Sequence, residues 1–221
     1  MRQKDRDSGP SVTAPRKSGI TAVSAAKKYG DEGDKFKLMN ITGGALKGRR
    51  LAVPMTKEVR PTQAKVRQAM FDSLQSKLCL EEARVLDLCC GSGAFGLEAY
   101  SRGAKHVVCV DKQVRYVTLN CKKCKIPDNK GIQIKRADAV TYLKKETSVF
   151  DLIFFDPPWD DKPLYQKVLD QIEMTSVLDK EGILLCEMRK RNKEPDFPDR
   201  FRIKWYNYGN TKVALLTHDN P

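Results

Sequence analysis

Blocks rich in apolar residues alternate with mixed segments after residue 80, and they predict strands and helices in turn. The predicted strands are "ARVLDLCC", "HVVCVD", "GIQIKRAD", "FDLIFFD" and "GILLCEM". Apolar residues recur at helical spacing in "GAFGLEAYSRG", "KQVRYVTLNCKKC" and "PLYQKVLDQIEM", and a short helix to Lys145 follows the third strand. The last segment, "FRIKWYNYGNTKVALLTH", predicts a hairpin through Gly209 and Asn210. This alternation predicts an α/β fold whose mostly parallel sheet is covered on both faces.

The first 80 residues follow a different pattern. Residues 1–36 are rich in Ser, Gly, Ala, Lys and Asp without a sustained apolar period, which predicts a flexible tail. "LMNITGGALKGRRLAVP" predicts two short strands around a Gly-rich turn, and "RPTQAKVRQAMFDSLQSKL" predicts a helix with Thr62 as its N-cap. We therefore divide the chain into the tail (1–36), an N-terminal hairpin and helix (37–79) and an α/β domain (80–221).

The positive charge of the chain is concentrated near its start. The formal net charge is +13, which favours a polyanionic partner over an ordinary basic surface. Nine basic and two acidic residues lie between Lys37 and Lys77, so this basic block holds +7 of the excess. Phosphate binding by the hairpin and helix is therefore predicted. The basic residues that we expect to bind the phosphates of a nucleic acid are Arg49, Arg50, Arg60, Lys65 and Arg67.

Composition also limits the compartment and the cofactors. No apolar run has the length of a membrane span, and the N-terminus lacks the apolar core of a signal peptide, so a cytoplasmic location is predicted. Organelle targeting is the alternative, because "SVTAPRKSGITAVSAAKK" contains no acidic residue. Seven irregularly spaced cysteines indicate reduced thiols. Cys121 and Cys124 have metal-like spacing but no second pair, so no metal site is predicted.

Acidic residues at three successive strand ends accompany a Gly-rich turn. Gly91 and Gly93 allow a tight turn and a close approach of a ligand at a helix N-terminus, although packing glycines are the alternative. Asp87 would repel a pyrophosphate and suits a cationic ligand, and Asp111 has the position from which an acid bonds ribose hydroxyls. Asp138 suits an adenine amino group, although each acid alone suits a helix cap. Together they predict S-adenosylmethionine rather than NAD.

The fourth strand ends in "DPPW", beside the same predicted pocket. An exocyclic amine on a base is a poor nucleophile, because its lone pair is delocalised into the ring. The Asp156 carboxylate and the Pro157 carbonyl would accept the two N–H groups and direct the lone pair at a methyl carbon. Trp159 would stack on the base. The alternative is a turn that contains an aromatic residue of the core or rim.

These motifs resemble the RsmD-type family of small-subunit (16S) rRNA guanine-N2 methyltransferases. The resemblance runs from about Met39 to Thr217 and includes "MNITGGALKGRRL", "RPTQAKVRQAMFDSL", "DLCCGSGAFGLEAYSRGA" and "FFDPPW". It implies a seven-stranded class I S-adenosylmethionine-dependent methyltransferase sheet, Rossmann-like, with an N-terminal hairpin and helix. The cofactor residues that it implies are Asp87, Gly91, Gly93, Asp111, Asp138 and Ala139. The amine site that it implies is Asp156, Pro157, Pro158 and Trp159, with Arg60, Pro61 and Thr62 closing over it.

Two departures and several alternatives accompany this resemblance. The family usually has Phe or Tyr in place of Trp159, and it usually starts near Met39, so residues 1–38 are an extension. The implied partner is small-subunit rRNA or an assembling small ribosomal subunit, and a monomer without membrane contact is predicted. The alternatives are methylation of adenine N6 in DNA or RNA, methylation of a protein glutamine, and a catalytically silent RNA-binding assembly factor. A dehydrogenase is disfavoured by Asp87 and "DPPW".

Overall fold

The structure of the protein is a computed structural model that describes residues 36–55, 64–127 and 131–219. The predicted tail over residues 1–35, the predicted site residues Arg60, Pro61 and Thr62, and the N-cap assigned to Thr62 lie outside the described residues.

The described residues form strands and helices in the order that the sequence predicts. The strands are β1 (Phe36–Asn40), β2 (Arg50–Pro54), β3 (Arg84–Leu88), β4 (His106–Asp111), β5 (Ile132–Arg136), β6 (Phe150–Phe155), β7 (Leu178–Arg189), β8 (Phe201–Tyr208) and β9 (Thr211–His218). The helices are α1 (Ala64–Leu74), α2 (Ala94–Ser101), α3 (Arg115–Cys124), α4 (Ala139–Leu143) and α5 (Lys162–Met174). Both predicted hairpins, β1–β2 and β8–β9, are therefore confirmed.

Seven strands form the central sheet in the order β5-β4-β3-β6-β7-β9-β8. The pairs from β5 to β7 are parallel, and β9 is antiparallel to both of its neighbours. The strand order reverses between β3 and β6, since the chain first moves from β3 towards β5 and then returns to the other side of β3. Ligands bind beyond the carboxyl ends of the strands at such a switch point. The "DLCCGSGAFG" turn follows β3 and "DPPW" follows β6, so both predicted motifs lie at this point.

The sheet is buried on both faces, as its near-continuous apolar strands predict. Along β6, Leu152 and Phe154 point into a core shared with the hairpin, α1, α2 and α3, whereas Ile153 and Phe155 point into a core shared with α4 and α5. Phe154 stacks on Phe95 of α2 with ring centroids 3.9 Å apart. The alternation of side chains along β6 thus fixes which helices lie on each face.

A buried ionic network joins α1 to the hairpin, and it corrects one prediction. Arg67, predicted to bind phosphates, has a side chain that is 0% exposed. Its Nε donates a hydrogen bond to Glu98 at 3.1 Å, and its Nη2 donates to the Asn40 carbonyl oxygen at 2.6 Å. Glu98 also accepts a hydrogen bond from the Thr42 amide at 2.8 Å and pairs with Arg102 at 3.0 Å. Arg67 therefore holds elements together and lies out of reach of an RNA phosphate.

Asn120 of α3 joins the hairpin to the Gly-rich turn. Its Oδ1 accepts a hydrogen bond from the Ala52 amide at 2.7 Å, and its Nδ2 donates to the Ala52 carbonyl oxygen at 2.9 Å. The same Nδ2 donates to the Ser92 carbonyl oxygen at 2.9 Å. One buried side chain thus connects β2, α3 and the turn after β3.

Candidate cofactor and amine site

The turn after β3 folds back through residues in the left-handed region. Cys89, Gly91 and Gly93 have φ values of 60°, 51° and 72°. A Cβ built on Gly91 would meet no atom within 4 Å, whereas one on Gly93 would lie 2.5 Å from Val117 of α3. Gly91 therefore borders open space at the predicted cofactor position. Gly93 is required for packing against α3, and a role for it in cofactor binding stays a prediction.

Asp87 lies at the carboxyl end of β3 and is 1% exposed. Its Oδ2 accepts a hydrogen bond from the Gly96 amide at 2.9 Å. Burial, opposed by the Gly96 hydrogen bond and assisted by the charge of Asp111, raises the pKa of Asp87 to about 7. A cationic group beside Asp87 would stabilise its ionised form, which agrees with the predicted cationic ligand.

Asp111 and Asp138 both have partners within the protein. Asp111 accepts hydrogen bonds from the Gly91 amide at 2.8 Å and the Gln113 amide at 2.7 Å. Asp138 is the N-cap residue of α4 and forms an ion pair with Lys112 at 2.9 Å, which lowers the pKa of its carboxyl. The helix-cap alternative thus describes Asp138 in the structure. Its predicted contact with an adenine amino group stays a prediction, as does any contact of the neighbouring buried residue Ala139.

The "DPPW" turn joins the end of β6 to the start of α5. The Asp156 amide donates a long hydrogen bond of 3.4 Å to the Leu88 carbonyl oxygen, so the turn lies directly beside the end of β3. Pro157 is buried, Pro158 is exposed and Trp159 is half-buried. The Asp161 side chain then caps α5 through the Leu164 amide at 3.2 Å. The Pro-Pro pair therefore ends a buried strand and leaves an aromatic ring at the rim.

The four predicted acids lie at one edge of the sheet. Asp87, Asp111, Asp138 and Asp156 end or follow β3, β4, β5 and β6, which are parallel neighbours, so all four lie at the carboxyl ends of these strands. Burial raises the pKa of Cys89, which follows β3, and the charges of these four acids raise it as well. The structure thus places the cofactor acids and the amine-site acid at the edge where the sequence predicted them.

Two residues near the amine site were not found from the sequence. Cys186 lies opposite Phe155 in the β6–β7 pairing, so the next residue, buried Glu187, lies level with Asp156. Asn192 donates a hydrogen bond to the Trp159 carbonyl oxygen at 2.7 Å. Glu187 could have been found from its position in the predicted strand "GILLCEM", because an acid near the end of a buried parallel strand lies at the ligand-binding edge. No sequence signal connects Asn192 with Trp159.

The remaining basic residues are divided between different places. Lys65 is exposed at the start of α1. Arg49 and Arg50 are exposed beside a turn whose Ala45 amide donates to the Ser101 carbonyl oxygen at 2.7 Å, at the carboxyl end of α2. That end of α2 leads into the start of β4, at the sheet edge opposite Asp156. Of the described residues of the basic block, Arg49 and Arg50 therefore lie away from the amine site.

The donor set at the Gly-rich turn fits S-adenosylmethionine. Carboxylates accept hydrogen bonds from ribose hydroxyls and amines and attract cations, whereas a pyrophosphate requires donors and positive charge. Asp87, Asp111 and Asp138 are all carboxylates, and Lys112 is already paired with Asp138.

Among the described helices, none combines the length and the apolar character that crossing a membrane requires.

Known proteins are similar to this chain in sequence and in fold. The family model described as Conserved hypothetical protein 95 matches residues 39–217. YlbH of Bacillus subtilis (strain 168) is 32% identical over 185 residues, 80% of this chain and 97% of that protein. The Escherichia coli (strain K12) protein named Ribosomal RNA small subunit methyltransferase D is 28% identical over 165 residues, 75% of this chain and 82% of its own length.

The solved structure of yhhF from Escherichia coli has a TM-score of 0.72 at 24% identity and covers 82% of this chain and 98% of that one. The predicted Rossmann-like fold of class I S-adenosylmethionine-dependent methyltransferases is thus confirmed, and S-adenosylmethionine is confirmed as the cofactor at the level of fold and family. The chain belongs to the Conserved hypothetical protein 95 family, the RsmD-like methyltransferase family that its motifs predicted.

Proposed function

We propose that this protein transfers a methyl group from S-adenosylmethionine to the exocyclic N2 amine of a guanine in small-subunit rRNA. The observation that supports this most directly is the hydrogen bond of 3.4 Å from the Asp156 amide to the carbonyl oxygen of Leu88, the residue after Asp87, because it places the "DPPW" turn beside the end of β3. A methyltransferase needs its methyl donor and its amine acceptor within one site, and the acids of both predicted subsites lie at the carboxyl ends of the neighbouring strands β6, β3, β4 and β5. The name of the Escherichia coli relative supports small-subunit rRNA as the substrate. Guanine N2 rests on the family resemblance of the motifs.

In the proposed site the carboxylates hold the cofactor. S-adenosylmethionine, when bound, supplies a methyl group on a cationic sulfur. Asp111 has lone pairs beyond those that bond Gly91 and Gln113, so it accepts from ribose hydroxyls. Asp87 provides negative charge for the cationic end, and the open space beside Gly91 lets the ligand approach the backbone. These contacts orient the donor, and positioning supplies most of the rate.

The "DPPW" turn holds the acceptor in this proposal. The Asp156 carboxylate and the Pro157 carbonyl accept the two N–H groups of the amine, so the nitrogen lone pair is directed at the methyl carbon. Trp159 stacks on the base, and such stacking contributes about 1–3 kcal/mol. The half-buried position of Trp159 leaves part of its side chain accessible to a base.

The test is single-turnover methyl transfer to rRNA with saturating cofactor. Asp156→Ala should lower the rate by about 10²–10³-fold, since the loss of one preorganised polar contact to a transition state typically costs this much. Binding of S-adenosylmethionine should survive. Asp160→Ala, which removes an exposed carboxylate four residues away, is the matched control and should keep the wild-type rate.

Nucleoside analysis of the product distinguishes the candidates. N2-methylguanosine supports the proposal, whereas N6-methyladenosine or methylglutamine would assign the protein to another group of amino-methyltransferases. Substrates should include naked DNA, free rRNA and assembling small subunits. Wild-type turnover in Asp156→Ala would mean that "DPPW" is only a turn and that the proposed mechanism is wrong.

A further inference from the structure

A second concentration of positive charge lies directly after β7. Residues 189–194, "RKRNKE", contain four basic residues and one acid, and we call this segment the basic loop. β7 is parallel to β6, so the basic loop begins at the same sheet edge as the "DPPW" turn. The N-terminal basic block has more charge, but its exposed residues Arg49 and Arg50 lie towards the opposite edge.

The basic loop is held in place by its neighbours. Lys212 of β9 is 7% exposed, and its Nζ donates to Glu194 at 2.7 Å and to the Asn192 carbonyl oxygen at 3.4 Å. The Lys190 amide donates to the Asn210 carbonyl oxygen at 2.8 Å. These contacts fix the loop and neutralise its one acid with a buried lysine from another strand.

The same loop is joined to the aromatic residue of the amine site. The Asn192 side chain donates to the Trp159 carbonyl oxygen at 2.7 Å, and the Arg189 guanidinium carbon lies 5.9 Å from the centroid of the Trp159 ring. Arg189, the first cation of the basic loop, is therefore close to the Trp159 ring, and Asn192 joins the rest of the loop to the same residue.

Three cations of the basic loop face solvent. Lys190, Arg191 and Lys193 are exposed, and within the described part of the chain none of them forms an ion pair with a carboxylate. The buried Arg67, in contrast, is paired with Glu98. Three like charges on one fixed loop create a positive potential that attracts an anion. A loop with this charge beside a base-stacking residue suits the backbone of a nucleic acid.

We propose that the basic loop binds the RNA phosphates that flank the target nucleotide. The inference rests on the proposed function, because it takes RNA as the substrate. A base that reaches Asp156 must leave its stack, and phosphate contacts position the backbone while base contacts specify the target. In this proposal Lys190, Arg191 and Lys193 bind the phosphates of the RNA strand. Asn192 holds Trp159 beside the basic loop, so that the stacked base and the bound phosphates belong to the same stretch of RNA.

The experiment compares two triple variants of the full chain in rRNA binding at several salt concentrations. Lys190→Ala/Arg191→Ala/Lys193→Ala removes three charges from the basic loop. Lys122→Ala/Lys125→Ala/Lys180→Ala removes three exposed charges from the opposite sheet edge, none of them in an ion pair within the described part of the chain, and is the matched control. Each lost phosphate contact lowers the log–log salt slope by about 0.7 for a single strand, so the loop variant should lose about 2 and the control should keep the wild-type slope.

Melting temperature and S-adenosylmethionine affinity should be unchanged in both variants. A charge-preserving variant, Lys190→Arg/Lys193→Arg, should keep the wild-type slope, because phosphate binding requires the charge. A wild-type slope in the loop variant, or an equal loss of slope in the loop and control variants, would overturn the inference. A wild-type protein that binds rRNA through the loop without methylating it would leave the inference standing and overturn the proposed function.

Discussion

One group of charged side chains is centred on α2 and another lies just before it, and the charges of the two groups are arranged in opposite ways. Glu98, within α2, is surrounded by Arg67, Arg102 and the donors of Thr42. Cys89, just before α2, lies at the sheet edge where β3, β4, β5 and β6 end in four carboxylates, all of which raise the pKa of its thiol, and Lys112 pairs with one of them, Asp138. One group combines opposite charges, and the other gathers like charges.

The difference separates structural charge from functional charge. A buried pair with its hydrogen bonds satisfied stabilises a fixed arrangement, and its charges are not available to a ligand. Like charges gathered at one edge repel each other until a ligand of opposite charge arrives, so such clusters are typical of binding sites. Whether a charged side chain already has a buried partner of opposite charge, and not its charge alone, therefore decides whether it acts on a substrate.

The largest expected effect is the loss of Glu98. Burial alone would raise the pKa of Glu98, but hydrogen bonds from Thr42 and the charge of Arg67 lower it below its usual value. Glu98→Ala leaves Arg67 buried without this partner, and breaking a buried pair in this way costs about 3–5 kcal/mol. Urea unfolding measures the free energy of unfolding. Glu173→Ala, at an exposed position on α5, should change it by less than about 0.5 kcal/mol. If Glu98→Ala lowered the free energy of unfolding by less than about 1 kcal/mol, the charges around Glu98 would not have the structural role assigned to them.

A smaller effect, with a distinct pH dependence, is expected at Asp87. Its pKa is about 7 in the folded protein and about 3.9 when unfolded, so between these values the folded state binds the extra proton. Raising the pH through this window therefore lowers the free energy of unfolding. The side chain introduced by Asp87→Asn cannot ionise. As the pH rises, the free energy of unfolding of this variant should therefore increase relative to that of the wild type, by up to about 1.4 kcal/mol per pH unit.

Urea unfolding of the cofactor-free protein at pH 5, 6 and 7 measures this shift. Asp160→Asn should show no such trend, because Asp160 is exposed. A pH-independent difference for Asp87→Asn would contradict a raised pKa of Asp87 in the folded protein.

The smallest expected effect separates position from charge at the amine site. Asn192→Ala removes the hydrogen bond to the Trp159 carbonyl but no charge. A hydrogen bond contributes about 1 kcal/mol net, so methyl transfer at saturating RNA should slow by about fivefold. The salt slope of RNA binding should stay at the wild-type value. Asn207→Ala, at an exposed position on β8, is the control. A reduced slope in Asn192→Ala would show that the hydrogen bond serves the basic loop rather than Trp159.

Most of the fold was predictable, because local patterns determine it. The alternation of strands and helices gave the parallel sheet, and strand ends that share one edge brought Asp87, Asp111, Asp138 and Asp156 together. Arg67 was predicted wrongly, since its partner Glu98 lies 31 residues away and no local pattern connects them. The basic loop is visible as "RKRNK", but its fixed geometry depends on Lys212, a residue of another strand.

The side chain of Asn120 has a further consequence for solubility. A two-stranded hairpin has outer edges whose free amides and carbonyls invite pairing with another chain. Both polar backbone groups of Ala52 point away from β1 towards the Asn120 amide, which bonds them as a neighbouring strand would. Asn120 thus closes this part of the β2 edge from within the same chain, and the hairpin is protected there against intermolecular strand pairing and aggregation.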